Sequence, residues 1–413
     1  MSTQRLICIM ETGYLTSGQC YIQMALKVKN SSLIEKYSKK FFAKCTPFHL
    51  SANLENMTLK LESKNNSLIK MPEEISSLDT AIKWSLENAH PNSTNNLATL
   101  SANSKIIVYN VNHAFCDGGM FKQIFEELQK SEFTEPKLNL PLTFFSTYID
   151  KIKSAEPHIL SPKNPKFTHF QPIKEENSKY LDDNIEIVFS EINAEDVFNY
   201  ENGHIHKLTA ILTASMILSA KALSDYKDGY GVQAAIDVRR YMDDNIKSSW
   251  DLNFHAGNIG IDCEKPKTIK ELIDGLDNKL KYEIKNEEWL NHTHYLLLPF
   301  LNPGDKRYIN FDDYGLGLYL TQMGMFRSNE DISDIMINVN QENNVDCIVL
   351  QSYSFICGNK NILRNHIIFR KTGINSNLAK RYLNLIDYCI KNFKLDSDVH
   401  EFISLLKKIN KEN

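Results

Sequence analysis

Long apolar segments and paired cysteines are both missing from this chain of 413 residues. No stretch of about 18 apolar residues occurs, so the sequence predicts no transmembrane helix. The apolar run at 6–10 is too short to form the core of a signal peptide. The eight cysteines are scattered and form no C-x-x-C pair, which disfavours a zinc knuckle or a disulfide framework. This cysteine usage favours a reducing, cytoplasmic compartment.

An excess of basic charge is missing as well. The chain has 47 lysines and arginines against 51 aspartates and glutamates, and its lysine runs are short. A nucleic-acid partner is therefore not expected, because phosphate binding needs clustered positive charge. Hydrophobic residues make up 42% of the sequence, which is ordinary for a globular protein. The length alone allows two or three domains.

Strand patterns and helical patterns alternate along both halves of the sequence. In the first 150 residues, the patterned segments are 32–44, 57–61, 77–88, 96–102, 105–111 and 120–130. In the second half, they are 185–189, 207–223, 231–238, 268–284, 345–355, 366–370, 376–393 and 400–409. This alternation predicts an α/β (α+β) fold in each half.

The pattern breaks down between residues 151 and 184, where four prolines lie among many lysines, glutamates, serines and asparagines. Proline fixes φ and removes a backbone donor, so neither a helix nor a strand is expected to run through this segment. We interpret 151–184 as a crossover linker between an N-terminal unit, 1–150, and a C-terminal unit, 185–413.

The most informative segment is H-A-F-C-D-G-G at 113–119, which lies between a strand pattern and a helical pattern. His113 is therefore expected where a buried strand ends, and its imidazole can accept a proton from an attacking hydroxyl or amine. Asp117 is expected at the N-terminus of the helix, where unpaired N–H groups favour a carboxylate. Gly118 and Gly119 allow a tight turn and leave space beside the ring. A strand-end histidine alone is more often a core or surface residue, so the prediction depends on the whole segment.

Two other chemistries have to be considered. Cys116 lies inside the segment, so a cysteine nucleophile with His113 as its base is an alternative, although nothing else nearby in the sequence would lower the thiol pKa. The H-x-H pairs at 204–206 and 292–294 would each project from one face of a strand and could bind a metal. No cysteine or carboxylate accompanies them at a familiar spacing, so we expect surface histidines and no metal site.

The full H-x-x-x-D-G pattern, in its strand–turn–helix setting, resembles the signature of the CoA-dependent acyltransferase superfamily. This superfamily includes chloramphenicol acetyltransferase, carnitine acyltransferases, fungal alcohol acetyltransferases, plant BAHD acyltransferases and peptide-synthetase condensation domains. The resemblance implies two chloramphenicol acetyltransferase-like α/β sandwich domains with the active-site channel at their interface. It also implies that His113 is the general base and that Asp117, with Gly118 beside it, is mainly structural and pairs with an arginine.

The arginine implied by the resemblance has a candidate position. D-V-R-R at 237–240 follows a strand pattern and is similar to the D-x-R segment of plant-type and fungal relatives. We expect Arg239, with Arg240 as second choice, to form a bidentate pair with Asp117. The alternative is that both arginines are solvated residues at the end of a strand.

Three further segments are similar to family motifs. The G-N pair at 257–258 follows the arginine in the expected order, so Asn258 could contact substrate or support the site. L-T-Q-M-G at 320–324 is similar to the S-N-x-G strand of fungal alcohol acetyltransferases, and Thr321 could donate to the oxyanion of the intermediate. An ordinary strand residue is an equal alternative for Thr321. D-Y-G-L-G at 313–317 is similar to the structural D-F-G-W-G box of the BAHD enzymes.

The resemblance implies an acyl-CoA-dependent O- or N-acyltransferase, most simply an acetyltransferase, that is closest in outline to the fungal alcohol acetyltransferases. Acyl-CoA would be a co-substrate rather than a bound cofactor, the acceptor a small-molecule alcohol or amine, and the protein a monomer. One alternative is a condensation-type enzyme whose acyl donor is bound to a carrier protein, although Asn112 stands where such domains usually have a second histidine. Another alternative is a non-catalytic binding relative.

Overall fold

The computed structural model describes residues 3–16, 20–64, 66–92, 94–131, 138–160, 164–170, 185–224, 229–242, 254–301, 315–341, 347–371 and 373–412. Within these ranges the helices are α1 (Ile9–Thr16), α2 (Ser32–Lys44), α3 (Leu78–Asn88), α4 (Gly118–Leu128), α5 (Phe144–Ser154), α6 (Leu208–Leu223), α7 (Ile269–Lys285), α8 (Trp289–Leu301), α9 (Ser376–Asn392) and α10 (Val399–Glu412).

The strands within the same ranges are β1 (Gln4–Leu6), β2 (Cys20–Val28), β3 (Leu50–Asn53), β4 (Thr58–Leu61), β5 (Ile69–Lys70), β6 (Ala98–Ala102), β7 (Ile106–Asn112), β8 (His169–Phe170), β9 (Ile185–Asn193), β10 (Tyr200–Glu201), β11 (His204–Ile205), β12 (Tyr230–Asp237), β13 (Ala256–Cys263), β14 (Leu316–Arg327), β15 (Ile332–Gln341), β16 (Cys347–Cys357) and β17 (Lys360–Arg370).

Two sheets form the framework. The first has the strand order β15-β2-β7-β6-β5, and the second has the order β13-β12-β14-β16-β17-β9 with β8 paired to β14. Every residue of β7 is buried, which is why apolar residues occupy consecutive positions at 106–108 instead of alternating with exposed polar ones. Helix α6 is apolar on nearly all sides because α7, α9 and α10 surround it in the core of the second half. The predicted α/β fold class is confirmed.

A strand from the second half of the sequence completes the first sheet. Strand β15 pairs antiparallel with β2, with Ile335 opposite Leu26 and Ile337 opposite Met24. The edge of β2 would otherwise expose unpaired backbone groups, so this pairing satisfies them. The two halves are thus joined by sheet hydrogen bonds as well as by their interface.

The segment predicted to be an irregular linker contains regular structure where it is described. Helix α5 continues to Ser154, and His169–Phe170 forms a short strand on β14. Tyr148 and Ile152 are buried in the hydrophobic core of the second half, so burial extends the helix beyond residue 150. Residues 161–163 and 171–184 lie outside the described residues. The domain limits at 150 and 185 stay predictions.

The second H-x-H pair lies on helix α8 rather than on a strand, so its side chains do not share one face. His292 is buried, with Nε2 3.5 Å from Oε2 of Glu283, and the surface location predicted for it is wrong. The described residues contain no group of three or more histidines, cysteines or carboxylates that could hold a metal ion. None of the described helices is long and apolar enough to cross a membrane.

Candidate active site

The end of strand β7 places His113 at the interface between the two halves. The Asn112 side chain accepts a hydrogen bond from the backbone N–H of Ala114 at 3.0 Å, which turns the chain into a short 3-10 turn at His113–Phe115. Helix α4 then begins at Gly118. The histidine therefore follows directly from a buried strand and precedes a helix, as the pattern of the sequence predicts.

One nitrogen of the His113 imidazole forms a hydrogen bond within the protein, and the other can accept a proton. Its Nδ1 lies 2.8 Å from the carbonyl oxygen of Cys116. A carbonyl can only accept, so Nδ1 carries the proton and Nε2 is left as an acceptor. His113 is 8% exposed and borders a cavity of about 570 Å³.

Burial lowers the pKa of His113, while its hydrogen bond to Cys116 and the charge of Asp117 oppose that shift. The net direction is downward, so the imidazole is neutral near pH 7. A neutral imidazole with a free acceptor nitrogen is what a general base requires.

Asp117 binds groups from both halves of the molecule. Its Oδ1 accepts from the N–H of Met120 at 2.9 Å and so caps helix α4. Arg239 donates to Oδ1 and Oδ2 at 2.9 and 3.0 Å, in a bidentate pair. The N–H of His255 donates to Oδ2 at 2.6 Å. The structure thus brings Arg239 to Asp117, while Arg240 is exposed at the cavity.

The environment of this ion pair keeps it charged. Burial would raise the pKa of Asp117, but the Arg239 charge and the hydrogen bonds from Arg239, His255 and Met120 hold that pKa below its usual value. Asp237 accepts a second bond from Arg239 at 3.1 Å. The guanidinium therefore contacts two carboxylates, Asp117 from across the interface and Asp237 from the start of its own turn.

The two glycines of the motif allow close packing of α4 against the second half, and both border the cavity that His113 borders. A Cβ at Gly119 would lie 2.5 Å from Oδ2 of Asp237 and 2.7 Å from Nη1 of Arg239. A Cβ at Gly118 would lie 2.9 Å from Cγ and Sδ of Met323. The missing side chain of Gly119 lets the helix approach the 3-10 turn at Val238–Tyr241, which carries Arg239 and which we call the arginine turn.

Replacement of Gly119 by alanine is expected to destabilise the protein by about 1–3 kcal/mol, because the added methyl group would clash with the ion pair of Arg239 and Asp237. Gly118→Ala is the matched control. Its methyl meets the flexible end of Met323, so we expect a smaller loss of unfolding free energy. Urea unfolding of both variants measures the difference, and an equal loss for the two would contradict this reading of the interface.

The other predicted site residues line the same cavity. Asn258 lies on β13 and accepts a hydrogen bond from the Tyr319 hydroxyl at 2.6 Å, which leaves its amide N–H groups as donors. Thr321 lies on β14, opposite Ala235 and Gln351 in the sheet. Residues 313 and 314 of the D-Y-G-L-G segment lie outside the described residues.

Cys116 is poorly suited to be a nucleophile. Its side chain is 1% exposed, and burial raises the pKa of the thiol well above its ordinary value. The thiolate that a cysteine enzyme needs is therefore disfavoured. Its backbone carbonyl, by contrast, orients His113.

Sequence reasoning missed two aromatic residues next to His113. Tyr14, on helix α1, stacks on the imidazole with ring centroids 5.2 Å apart, and Phe254 meets it edge-on at 5.4 Å. Phe254 stands four residues before Asn258, so the G-N segment could have drawn attention to it. Tyr14 belongs to no motif, and nothing local in the sequence marks it.

No protein-family model matches this chain, and no curated protein sequence matches it either. Solved structures do match over nearly the whole chain. A trichothecene 15-O-acetyltransferase from Fusarium sporotrichioides has a TM-score of 0.64, with 12% identity, over 95% of this chain and 96% of its own. The chain has the fold of the CoA-dependent acyltransferase superfamily.

Two further structures with this acyltransferase fold come from peptide synthetases. The starter condensation domain of rhizomide synthetase, solved with C8-CoA and Leu-SNAC, has a TM-score of 0.63 and 10% identity over 97% of both chains. The epimerization domain of the third module of tyrocidine synthetase B has a TM-score of 0.61 and 9% identity, over 99% of this chain and 98% of its own. The predicted two-domain fold is confirmed. Sequence identities of 9–12% show similarity of the fold and not of the function.

Proposed function

We propose that this protein is an acyl-CoA-dependent O- or N-acyltransferase, most simply an acetyltransferase, acting on an alcohol or amine of a small molecule. The observation that carries the proposal is the position of His113 at a cavity between the two halves, where the bond from Nδ1 to the Cys116 carbonyl leaves Nε2 as an acceptor. A base with this geometry can take the proton of either a hydroxyl or an amine.

The reaction follows from that geometry in two steps. The acceptor donates its proton to Nε2 of His113 while its oxygen or nitrogen attacks the thioester carbonyl, which gives a tetrahedral intermediate. Collapse of the intermediate breaks the carbon–sulfur bond, and the departing CoA thiolate takes the proton back from His113. The base contributes about 10²–10⁴-fold, and binding of both substrates in one cavity contributes proximity. No covalent enzyme intermediate forms.

The oxyanion of the intermediate needs a hydrogen-bond donor in the cavity. The Thr321 hydroxyl and the Asn258 amide are the predicted candidates, and both residues border the cavity that holds His113. Asp117, Arg239 and Gly118 act indirectly in this proposal, because they hold the His113 turn and helix α4 against the second half.

A second cavity lies next to the one that His113 borders. The main cavity of about 570 Å³ adjoins a second one of about 300 Å³, and Thr209, Leu280, Gln322 and Gly324 border both. Acyl-CoA enters as a co-substrate. We also propose that the protein is a monomer, as the family resemblance implies, and that it is cytoplasmic, as the cysteine usage suggests.

A donor attached to a carrier protein is the second candidate, because condensation and epimerization domains share the fold. One observation disfavours it. Asn112, where condensation domains usually have a second histidine, is buried and caps the His113 turn with its side chain. A non-catalytic binding relative would be the third candidate.

CoA release, read with a thiol reagent, tests the proposal. Acetyl-CoA is offered with alcohols, polyamines and sphingoid-like amino alcohols to the wild type and to His113→Ala. We expect release that requires both an acceptor and His113. Release without acceptor would indicate a hydrolase. No release, together with no rise of the melting temperature on adding acetyl-CoA, would contradict the proposal and favour a carrier-bound donor or a binding protein.

A further inference from the structure

Two aromatic rings from distant parts of the chain enclose the imidazole of His113. The Tyr14 ring is stacked on it at 26° with a centroid distance of 5.2 Å, and the Phe254 ring meets it at 74° and 5.4 Å. The two aromatic rings also contact each other, with centroids 5.2 Å apart. We call Tyr14 and Phe254 the aromatic clamp.

The helix that carries Tyr14 is anchored by an ion pair of its own. Glu11 is 3% exposed and accepts from Arg5 at 2.6 and 2.8 Å, and from the N–H of Cys8 at 2.9 Å. Arg5 also donates to the carbonyl of Pro141 at 3.0 Å. A short helix is marginal without tertiary contacts, so these bonds determine where Tyr14 lies.

We infer that the aromatic clamp positions His113 for catalysis and covers one face of its imidazole, so that Tyr14 is a positioning residue of the reaction. The inference rests on the proposed function, since it assigns a role in the reaction of that same site. The bond from Nδ1 to the Cys116 carbonyl restrains only one edge of the ring. The stacked phenol ring of Tyr14 restrains the orientation of the imidazole plane, because stacked aromatic rings are favoured over other relative orientations.

The clamp also contributes to the burial that lowers the pKa of His113. The titratable residues that act on the ring are Cys116, through its carbonyl, and Asp117, through its charge, both on its own turn. Glu11 lies on α1 with Tyr14, and His255 directly follows Phe254. Tyr14→Ala changes none of them but admits water to the imidazole face. Water stabilises the charged form, so the pKa of His113 rises and the acid limb of kcat/KM moves to higher pH.

Four proteins test the clamp: wild type, Tyr14→Ala, Tyr14→Phe and Phe402→Leu. For Tyr14→Ala we expect kcat to fall by about 10- to 100-fold, with KM for acyl-CoA little changed, because the base is misplaced. The acid limb of its kcat/KM profile should move to higher pH. Tyr14→Phe keeps a ring over the imidazole and should restore the acid limb to its wild-type position. Phe402→Leu removes a buried aromatic ring that does not border the cavity, and it should leave the acid limb in place.

Histidine side-chain NMR gives a readout that does not depend on turnover. In the wild type, ring current from Tyr14 should shift the His113 resonances upfield, and His113 should titrate below its usual value. An ordinary titration without an upfield shift in the wild type would overturn the clamp, whether or not Tyr14→Ala folds. If His113→Ala abolishes activity while Tyr14→Ala keeps both kcat and the acid limb, the clamp fails and the proposed function stands. If no acyl transfer occurs at all, the proposed function fails and the NMR result alone decides on the clamp.

Discussion

Replacement of His113 by alanine is expected to lower kcat for acyl transfer by about 10²–10⁴-fold, because the acceptor then attacks without a base for its proton. Both substrates should still bind, since the cavity keeps its other walls, and acetyl-CoA should still raise the melting temperature. CoA-thiol release at saturating acyl-CoA and acceptor measures the loss. A variant that retains more than about a tenth of wild-type kcat would rule out His113 as the base.

His294 offers a matched control for that experiment. Its Nδ1 also bonds a backbone carbonyl, that of Ala155 at 2.6 Å, but the residue does not border the cavity. His294→Ala removes the same chemical group from the chain and should leave kcat near the wild-type value. Cys116→Ala separates the thiol from the base, since it keeps the carbonyl that orients His113, and should retain most of the turnover.

The pH dependence of the wild type follows from the environment of the base. Burial lowers the pKa of His113 from its ordinary value of 6.5, so the imidazole is still mostly neutral at pH 6.5. The acid limb of kcat/KM is therefore expected below pH 6.5, where the base becomes protonated. An acid limb above that value would contradict the buried environment.

Arg239→Met is expected to destabilise the protein by about 3–5 kcal/mol, because it leaves the Asp117 carboxylate buried without its counter-ion. The side chains of the pair are 4% and 6% exposed, so water cannot replace the lost partner. Asp117→Ala should likewise lower both stability and rate, since it uncaps α4 and removes one of the two carboxylates that contact Arg239. Urea unfolding measures the free energies. Unchanged stability and rate in Asp117→Ala would refute its structural role.

A double variant distinguishes loss of the Asp117–Arg239 interaction from the cost of leaving one of the two charges buried alone. Asp117→Asn combined with Arg239→Met removes both charges, so part of the lost stability should return relative to Arg239→Met alone. Lys39→Met breaks the exposed Lys39–Glu35 pair on α2 and serves as a control with little expected change.

The contribution of the buried pair depends on pH in a defined direction. The folded-state pKa of Asp117 lies below the ordinary 3.8, so the stabilisation is fully present above that value. It is lost as the pH falls through the folded-state pKa. The stability gap between wild type and Arg239→Met should therefore shrink in acid.

Local patterns in the sequence were sufficient for most of the regular elements. The helical spacing over 32–44 predicts α2 with the bounds that the structure has. The strand–turn–helix setting of His113 was also predictable, because a buried strand and an N-capped helix each leave a short-range pattern. The resemblance to acyltransferases supplied Arg239 as the partner of Asp117, although 122 residues separate them.

Long-range pairings left no such pattern. Nothing local in 332–341 says that this strand joins β2 in the first sheet, and nothing local in α1 says that Tyr14 covers the imidazole. The burial of His292 and the extension of α5 to Ser154 likewise depend on what the rest of the chain packs against them.

The order of residues along the chain was enough to specify the α/β fold, the motif and the chemical type of the candidate base, because periodicity and capping are properties of a few neighbouring residues. The protonated nitrogen of His113, the aromatic clamp and the close approach of Gly119 to the arginine turn became visible only in three dimensions. The aromatic clamp and the approach of Gly119 join residues of both halves, and their geometry results from the packing of the two sheets and their helices around one cavity.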